Sequence, residues 1–259
     1  MKKTGSILIF TLWVLIILTI LSIIISRRAS TDVRLAKYET DSIKATYLAK
    51  AGVMKMLVEL KNNENLYENL DKEKKFTLRG DTVFYSASDE MAKLNLNNCT
   101  LKNLEDLGVE ATLAEKILKY KVKHYNAFEF MEELFLVDES MTNETYAKIK
   151  DFVSIYRGTD EEVNINTASE EVLRAVIEDD KEDLVPIILE HRENGVIFKD
   201  KTEINNLSGL GDLNLDLFVV KSDYFRICVK ASLSEDKDIL KTIEAVVDKS
   251  GKIYHWREY

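Results

Sequence analysis

Residues 6–26 run without a charge, a glycine or a proline, and this run limits what the chain can become. Wound as an α-helix it is roughly 31 Å long, enough to cross a hydrocarbon core of about 30 Å. A helix is also what lipid demands, because each backbone N–H must find its partner inside the segment. A cleaved secretory signal fits less well: the run is too long, and Arg27 and Arg28 stand where small residues would mark a cleavage site. A plain signal anchor matches the apolar length equally.

The leader is Met1, Lys2, Lys3, Thr4 and Gly5. A short basic leader ending in glycine directly before an apolar helix resembles the type III signal of type IV pilins and pseudopilins. The resemblance implies that prepilin peptidase cuts between Gly5 and Ser6 and that the new amine of Ser6 is N-methylated. Most of that family carries glutamate at the fifth mature position, and here that position is Phe10. The glutamate of an incoming subunit pairs with the free amine of the subunit above it, a pairing of value where an unpaired buried charge is costly. A subunit with Phe10 has no acid to offer, so Phe10 is read as a filament-tip determinant. Lys2 and Lys3 favour a cytoplasmic N-terminus, whereas Arg27, Arg28, Arg34 and Lys37 favour the reverse. The pilin resemblance decides for a single pass through the cytoplasmic (inner) membrane, with an extracytoplasmic head.

About 230 residues follow the anchor, enough for one large or two small cores. A net charge of −9 disfavours a nucleic-acid surface, which needs a basic patch. One proline and nine glycines imply long helices and compact turns rather than linkers. Cys99 and Cys228 either form one disulfide or stand as two separate small apolar side chains.

In chain order, the helix is predicted to continue to about Asn62. Leu35, Tyr38, Ala45, Ala49, Gly52, Met56 and Leu60 recur at helical spacing, and Asn62 to Asn65 supply a stop. Residues 75–78 and 82–88 alternate around Arg79, Gly80 and Asp81 as a hairpin, with Phe76, Leu78, Val83, Tyr85 and Ala87 as its buried contacts. From Asp89 to about Phe218 the pattern is mostly helical and repeats itself. Leu94, Asn95, Leu96 and Asn97 answer Val163, Asn164, Ile165 and Asn166; Phe128, Glu133 and Leu134 answer Phe198, Glu203 and Ile204. The period is too long for a solenoid unit and implies two helical lobes. Thr167 or Ser169 is placed to cap a helix begun by Glu170 and Glu171. Residues 224–233, 239–248 and 253–256 read as three strands; turns at 234–238 and 249–252 imply an antiparallel meander. Val53, Leu57 and Leu60 would pack on the sheet that these strands form with the early hairpin.

The segment Ser88, Asp89, Glu90, Met91, Ala92, Lys93, Leu94, Asn95, Leu96, Asn97 resembles minor pseudopilin K of type II secretion systems. So do residues 163–169 with Glu171, Val172 and Leu173, and Ser222, Asp223, Tyr224 and Phe225 entering a strand. That family lacks the glutamate at mature position five, in keeping with Phe10. The resemblance implies an α+β, pilin-like fold: a long N-terminal transmembrane and amphipathic helix on an antiparallel sheet, with an inserted all-helical domain. The expected organisation is leader 1–5, transmembrane half 6–28, amphipathic helix and first strands 29–88, inserted domain 89–218 and C-terminal strands 219–259. The implied role is to initiate and cap a pseudopilus at its tip. Implied partners are other minor pseudopilins, the major pseudopilin, prepilin peptidase and the membrane.

Other signals compete. The lobes resemble SAM-like or helix-hairpin-helix modules, and a membrane-anchored DNA- or protein-binding receptor for uptake is the alternative. The hairpin candidates are Gly108, Val109 and Glu110, the acidic stretch 178–183, and Gly209, Leu210 and Gly211 followed by Asp212 and Asp216; these acids would repel phosphate. Asp212, Asn214 and Asp216 have the alternate oxygen ligands of a calcium loop but lack its glycine and terminal glutamate. Calcium also binds members of the resembled family, so a site in the head is an open expectation. His124, His191 and His255 lack metal-ligand spacing, and no enzymatic constellation stands out. The pairs Glu132–Glu133 and Glu161–Glu162 read as solvated faces.

Overall fold

The computed structural model describes residues 4–62, 67, 70–157, 161–234 and 238–259, with the backbone alone for residues 4–6. Residues 1–3 of the leader, the helix stop at 63–65 and the turn at 235–237 lie outside the described residues.

Helix α1 (Thr4–Asn62) runs unbroken for 59 residues, a rod of roughly 88 Å. Its second half packs one face through Ala45, Leu48, Ala49, Val53, Met56, Leu57 and Leu60. Leu35 and Tyr38, predicted to share this stripe, are exposed instead. The buried face begins only at Ala45, so these two lie on a part of the rod that no described head residue covers.

Strands β1 (Lys74–Leu78) and β2 (Asp81–Asp89) pair antiparallel across a tight turn. Both turn residues have positive φ, Arg79 at 54° and Gly80 at 88°, the backbone that two-residue hairpins prefer. Val83, Tyr85 and Ala87 face α1 as expected. Leu78 does not: it is half exposed, because β1 is the sheet's edge strand and its end runs clear of the helix.

The chain then leaves the sheet. Strand β3 (Leu94–Asn95), helices α2 (Leu101–Asp106), α3 (Ala111–Lys123) and α4 (Asn143–Phe152) and strand β4 (Val153–Ser154) make the first lobe. Strand β5 (Val163–Asn164), helices α5 (Glu170–Val176), α6 (Leu184–Glu193) and α7 (Lys201–Asn206) and strand β6 (Phe218–Val219) make the second. Each lobe opens and closes on a two-residue parallel pair, β3 with β4 and β5 with β6. These short strands correct the wholly helical reading of the insertion. Both lobes share one hydrophobic core, with Leu104, Ile117, Leu134, Leu173, Ile188 and Phe198 among its fully buried side chains.

Strands β7 (Tyr224–Ser232), β8 (Lys241–Asp248) and β9 (Ile253–Glu258) complete the main sheet in the order β1-β2-β7-β8-β9. The final meander is antiparallel as predicted, and β7 returns from the lobes to pair with β2. Phe225, Ile227, Val229, Ala231, Ile243, Ala245 and Val247 give the sheet its apolar face against α1.

Gly52 sits where helix and sheet come closest. A Cβ there would lie 2.6 Å from Val229 Cγ1 and 2.9 Å from Val83 Cγ1. Glycine inside a helix ordinarily costs about 1 kcal/mol against alanine. Here the overpacking outweighs that gain: Gly52→Ala is expected to lower stability by about 1–3 kcal/mol in chemical unfolding. A stabilised variant would show that the two valines re-pack freely.

Candidate functional site

Two regions stand out, the bare part of α1 and the junction between the sheet and the helical lobes. From Ile7 to Ile25 the large apolar residues of α1 are all exposed; Phe10 is 69% exposed. The helix is long and apolar enough to cross a membrane. Gly5 and Ser6 lie in its first turns. A second bare stripe continues on the head half: Ile43, Tyr47, Met54 and Val58 are exposed at spacings of four, seven and four, on the side away from the sheet. An amphipathic helix on a sheet needs one apolar face. This one has two, and the free one is separated from the wholly apolar half by the charged stretch 27–41.

The junction is built from consecutive carboxylates where β2 ends. Asp89 is 3% exposed. Its Oδ1 accepts from the Met91 N–H at 2.8 Å. Its Oδ2 accepts from Asn164 Nδ2 at 2.9 Å, Thr167 Oγ1 at 2.5 Å and the Ser222 hydroxyl. Burial pushes its pKa up, and these donors only partly offset that. Glu90 is fully buried. It accepts from Arg226 Nε at 2.5 Å and Ser154 Oγ at 2.5 Å, with Lys93 Nζ at 3.9 Å. Burial alone would raise its pKa, but the Arg226 and Lys93 charges outweigh burial and hold it below the ordinary range. Arg226 also pairs with Glu244. Tyr67 adds a bond to the Val220 carbonyl, and Asn164 donates to the Tyr67 hydroxyl.

The repeated asparagines act in the same way in both lobes. Asn95 Oδ1 accepts from the Asn97 N–H, and Asn164 Oδ1 from the Asn166 N–H. Asn97 then clamps both backbone groups of Phe128, and Asn166 those of Phe198. Tyr120 stacks on Phe128 and His191 on Phe198. Ser169 caps α5, accepting from Val172 N–H; Thr167, the other predicted cap, instead donates to Asp89. The asparagines therefore begin turns after short strands, not helices.

The solvated reading of two glutamates is corrected. Glu133 accepts from the backbone of Glu129 and Phe130, and Glu162 pairs with Lys201, so neither is merely solvated. Both cysteines are free: Cys99 lies in the helical core, where burial pushes its thiol up to about 12, and Cys228 lies on β7. Asn214 Oδ1 is used by the Asp216 N–H and Leu213 is buried, so the segment with calcium-loop spacing forms a capped turn. Among the described residues no group of three or more His, Cys, Asp or Glu converges to hold a metal ion. Gly108, at φ +80°, does make a tight turn between α2 and α3, closed by Val109 N–H to the Leu104 carbonyl. Exposed Glu105, Asp106 and Glu110 crowd that turn.

A groove of about 370 Å³ between the first lobe and the sheet is lined by Tyr146, Tyr156, Arg226, Glu244, His255 and Arg257. Its charges satisfy one another: Arg226 holds Glu90 and Glu244, and Arg257 meets Glu132 at 2.8 Å.

Residues 163–221, the second lobe and the return to the sheet, match the family of type II secretion system (T2SS), protein K. This part of the chain is therefore similar to protein K. Its fold is similar to a chain in the crystal structure of the GspK-GspI-GspJ complex from the enterotoxigenic Escherichia coli type 2 secretion system. The TM-score is 0.56 at 16% identity, covering 90% of this chain and 99% of that one. No curated protein matches the chain. The matched segment contains Asn164, Asn166 and Thr167, three of the residues that build the second lobe's clamp and its contact with Asp89.

Proposed function

We propose that this chain is a minor pseudopilin that initiates and caps a type II secretion pseudopilus, or a related type IV pilus, for protein secretion. The observation that carries this reading is α1. One rod offers a bare apolar half, a head half packed on its own sheet, and a second apolar stripe that none of the described residues covers. Exposed apolar surface of that extent is a docking face, first for lipid and then for neighbouring helices. Its partners in this reading are other minor pseudopilins, as in the complex that its fold resembles, and the major pseudopilin. In this reading the bulk of the helical lobes hinders addition of a further subunit above the head, and Phe10 offers that subunit no acidic partner. The role is structural, and prepilin peptidase acts on the chain rather than the reverse.

Processing is tested by intact mass of the chain purified from membranes. Loss of residues 1–5 together with the gain of one methyl group on Ser6 is the expected result. An uncut Met1 terminus in cells with active prepilin peptidase overturns the reading. Tagged copies are expected at one end of the filament and not along its shaft. The receptor alternative predicts retention on DNA at low salt, which the acids around Gly108 oppose.

A further inference from the structure

The helical lobes join the sheet through two short chain passages, one after Asp89 and one before Tyr224. Domains joined in this way hinge by default unless something else holds them. Consecutive residues at a strand end point to opposite sides. Asp89 reaches Asn164 and Thr167 of the second lobe and Ser222 on the returning chain. Glu90 reaches Ser154 of the first lobe and Arg226 on the returning strand β7. Each carboxylate thus ties one lobe to both the outgoing and the returning chain.

We propose that Asp89 and Glu90 form a two-point lock that fixes the angle of the helical domain on the sheet and makes the head one rigid body. With both points held, the domain is tied on either side of its chain passages, and a swing about those passages breaks one tie or both. With one point released, the domain pivots on the other. Any swing would strip a buried carboxylate of its donors, which is costly in low dielectric. The remaining side-chain ties carry no buried charge: Tyr67, packed on the sheet's core, adds neutral hydrogen bonds to Val220 and Asn164 of the second lobe. The Arg257–Glu132 pair is about half exposed on each side, where ion pairs contribute little. Tyr156 meets His255 only through tilted rings. The lock is inferred from the junction alone; its consequence, that a rigid domain blocks further addition at the tip, rests on the reading above.

The test uses the full chain in detergent, with Cys99 and Cys228 replaced by alanine. Spin labels go on cysteines introduced at exposed Lys75 on β1, Lys148 on α4 and Glu171 on α5. Pulsed dipolar spectroscopy reads the three distances. In the otherwise native chain all three distributions are narrow. Asp89→Ala broadens Lys75–Glu171, Glu90→Gln broadens Lys75–Lys148, and the double variant broadens both by about twofold. The distance within the helical domain, Lys148–Glu171, stays narrow throughout. Native widths for both sheet-to-lobe distances in the double variant overturn the lock. So does broadening of the internal distance, which would mean loss of fold. The readout needs no filament, so its failure leaves the tip assignment standing.

Discussion

Replacing Glu90 by alanine lowers the stability of the head by about 3–5 kcal/mol at neutral pH. Glu90 is fully buried and receives Arg226, Ser154 and, at longer range, Lys93. Alanine leaves Arg226 with Glu244 alone and leaves Lys93, whose pKa burial already lowers, without its nearest anion. The loss comes from stranding these cations, because a buried pair is worth less than the penalty for breaking it. Its pH dependence follows from the lowered pKa of Glu90. A carboxylate held below its ordinary value contributes fully above about pH 4.3 and loses that contribution as pH falls through the folded-state value. The gap between native chain and variant is therefore flat near neutrality and closes in acid. Asp89 works in the opposite sense, since its raised pKa withholds stability at neutral pH, but it is present in both chains and cancels. Chemical unfolding at several pH values measures the gap. Equal stabilities at pH 7 would show that the junction contributes nothing.

Asn166→Ala is expected to cost about 2–4 kcal/mol, and Asn97→Ala about half of that. Asn166 accepts from the Phe198 N–H at 2.9 Å and donates to the Phe198 and Val220 carbonyls at 2.9 and 3.0 Å. Both Phe198 backbone groups lose their partner where water is scarce, since Phe198 is 1% exposed, while the Val220 carbonyl keeps the Tyr67 hydroxyl. Asn97 makes two of the three equivalent bonds, to Phe128, and is itself only half-buried, so water can replace part of what is lost. Paired unfolding curves compare the two, and amide exchange at Phe198 and Phe128 reports each clamp directly. Equal losses would mean that the second lobe's deeper burial is irrelevant to its clamp.

These asparagines mark how far the chain could be read without coordinates. Their repeat was visible as spacing, because paired short polar residues between apolar ones stand out in a helical stretch. Their role was not, because an asparagine capping a helix and one clamping a distant backbone have the same local sequence. Phe128 is thirty-one residues from Asn97, and nothing nearby shows that its backbone is the partner. The same limit applies to Leu35 and Tyr38, which keep the helical period of the buried stripe but lie beyond the sheet's reach. Asp89 and Glu90 were legible only as part of a family-like motif, since a charge pair at a strand end usually faces water.

What the sequence alone determined is whatever depends on neighbours along the chain. That covers the apolar rod, its reach to Asn62, the hairpin at Arg79 and Gly80, the C-terminal meander and the doubling of the lobes. Periodicity and turn chemistry act over a few residues and survive without a fold. Only the tertiary structure decided that β7 returns to β2 across the whole insertion, that both lobes share one core, and that two adjacent acids each take one lobe. Those contacts join residues more than sixty positions apart, and no local preference specifies which distant donor a buried carboxylate will meet.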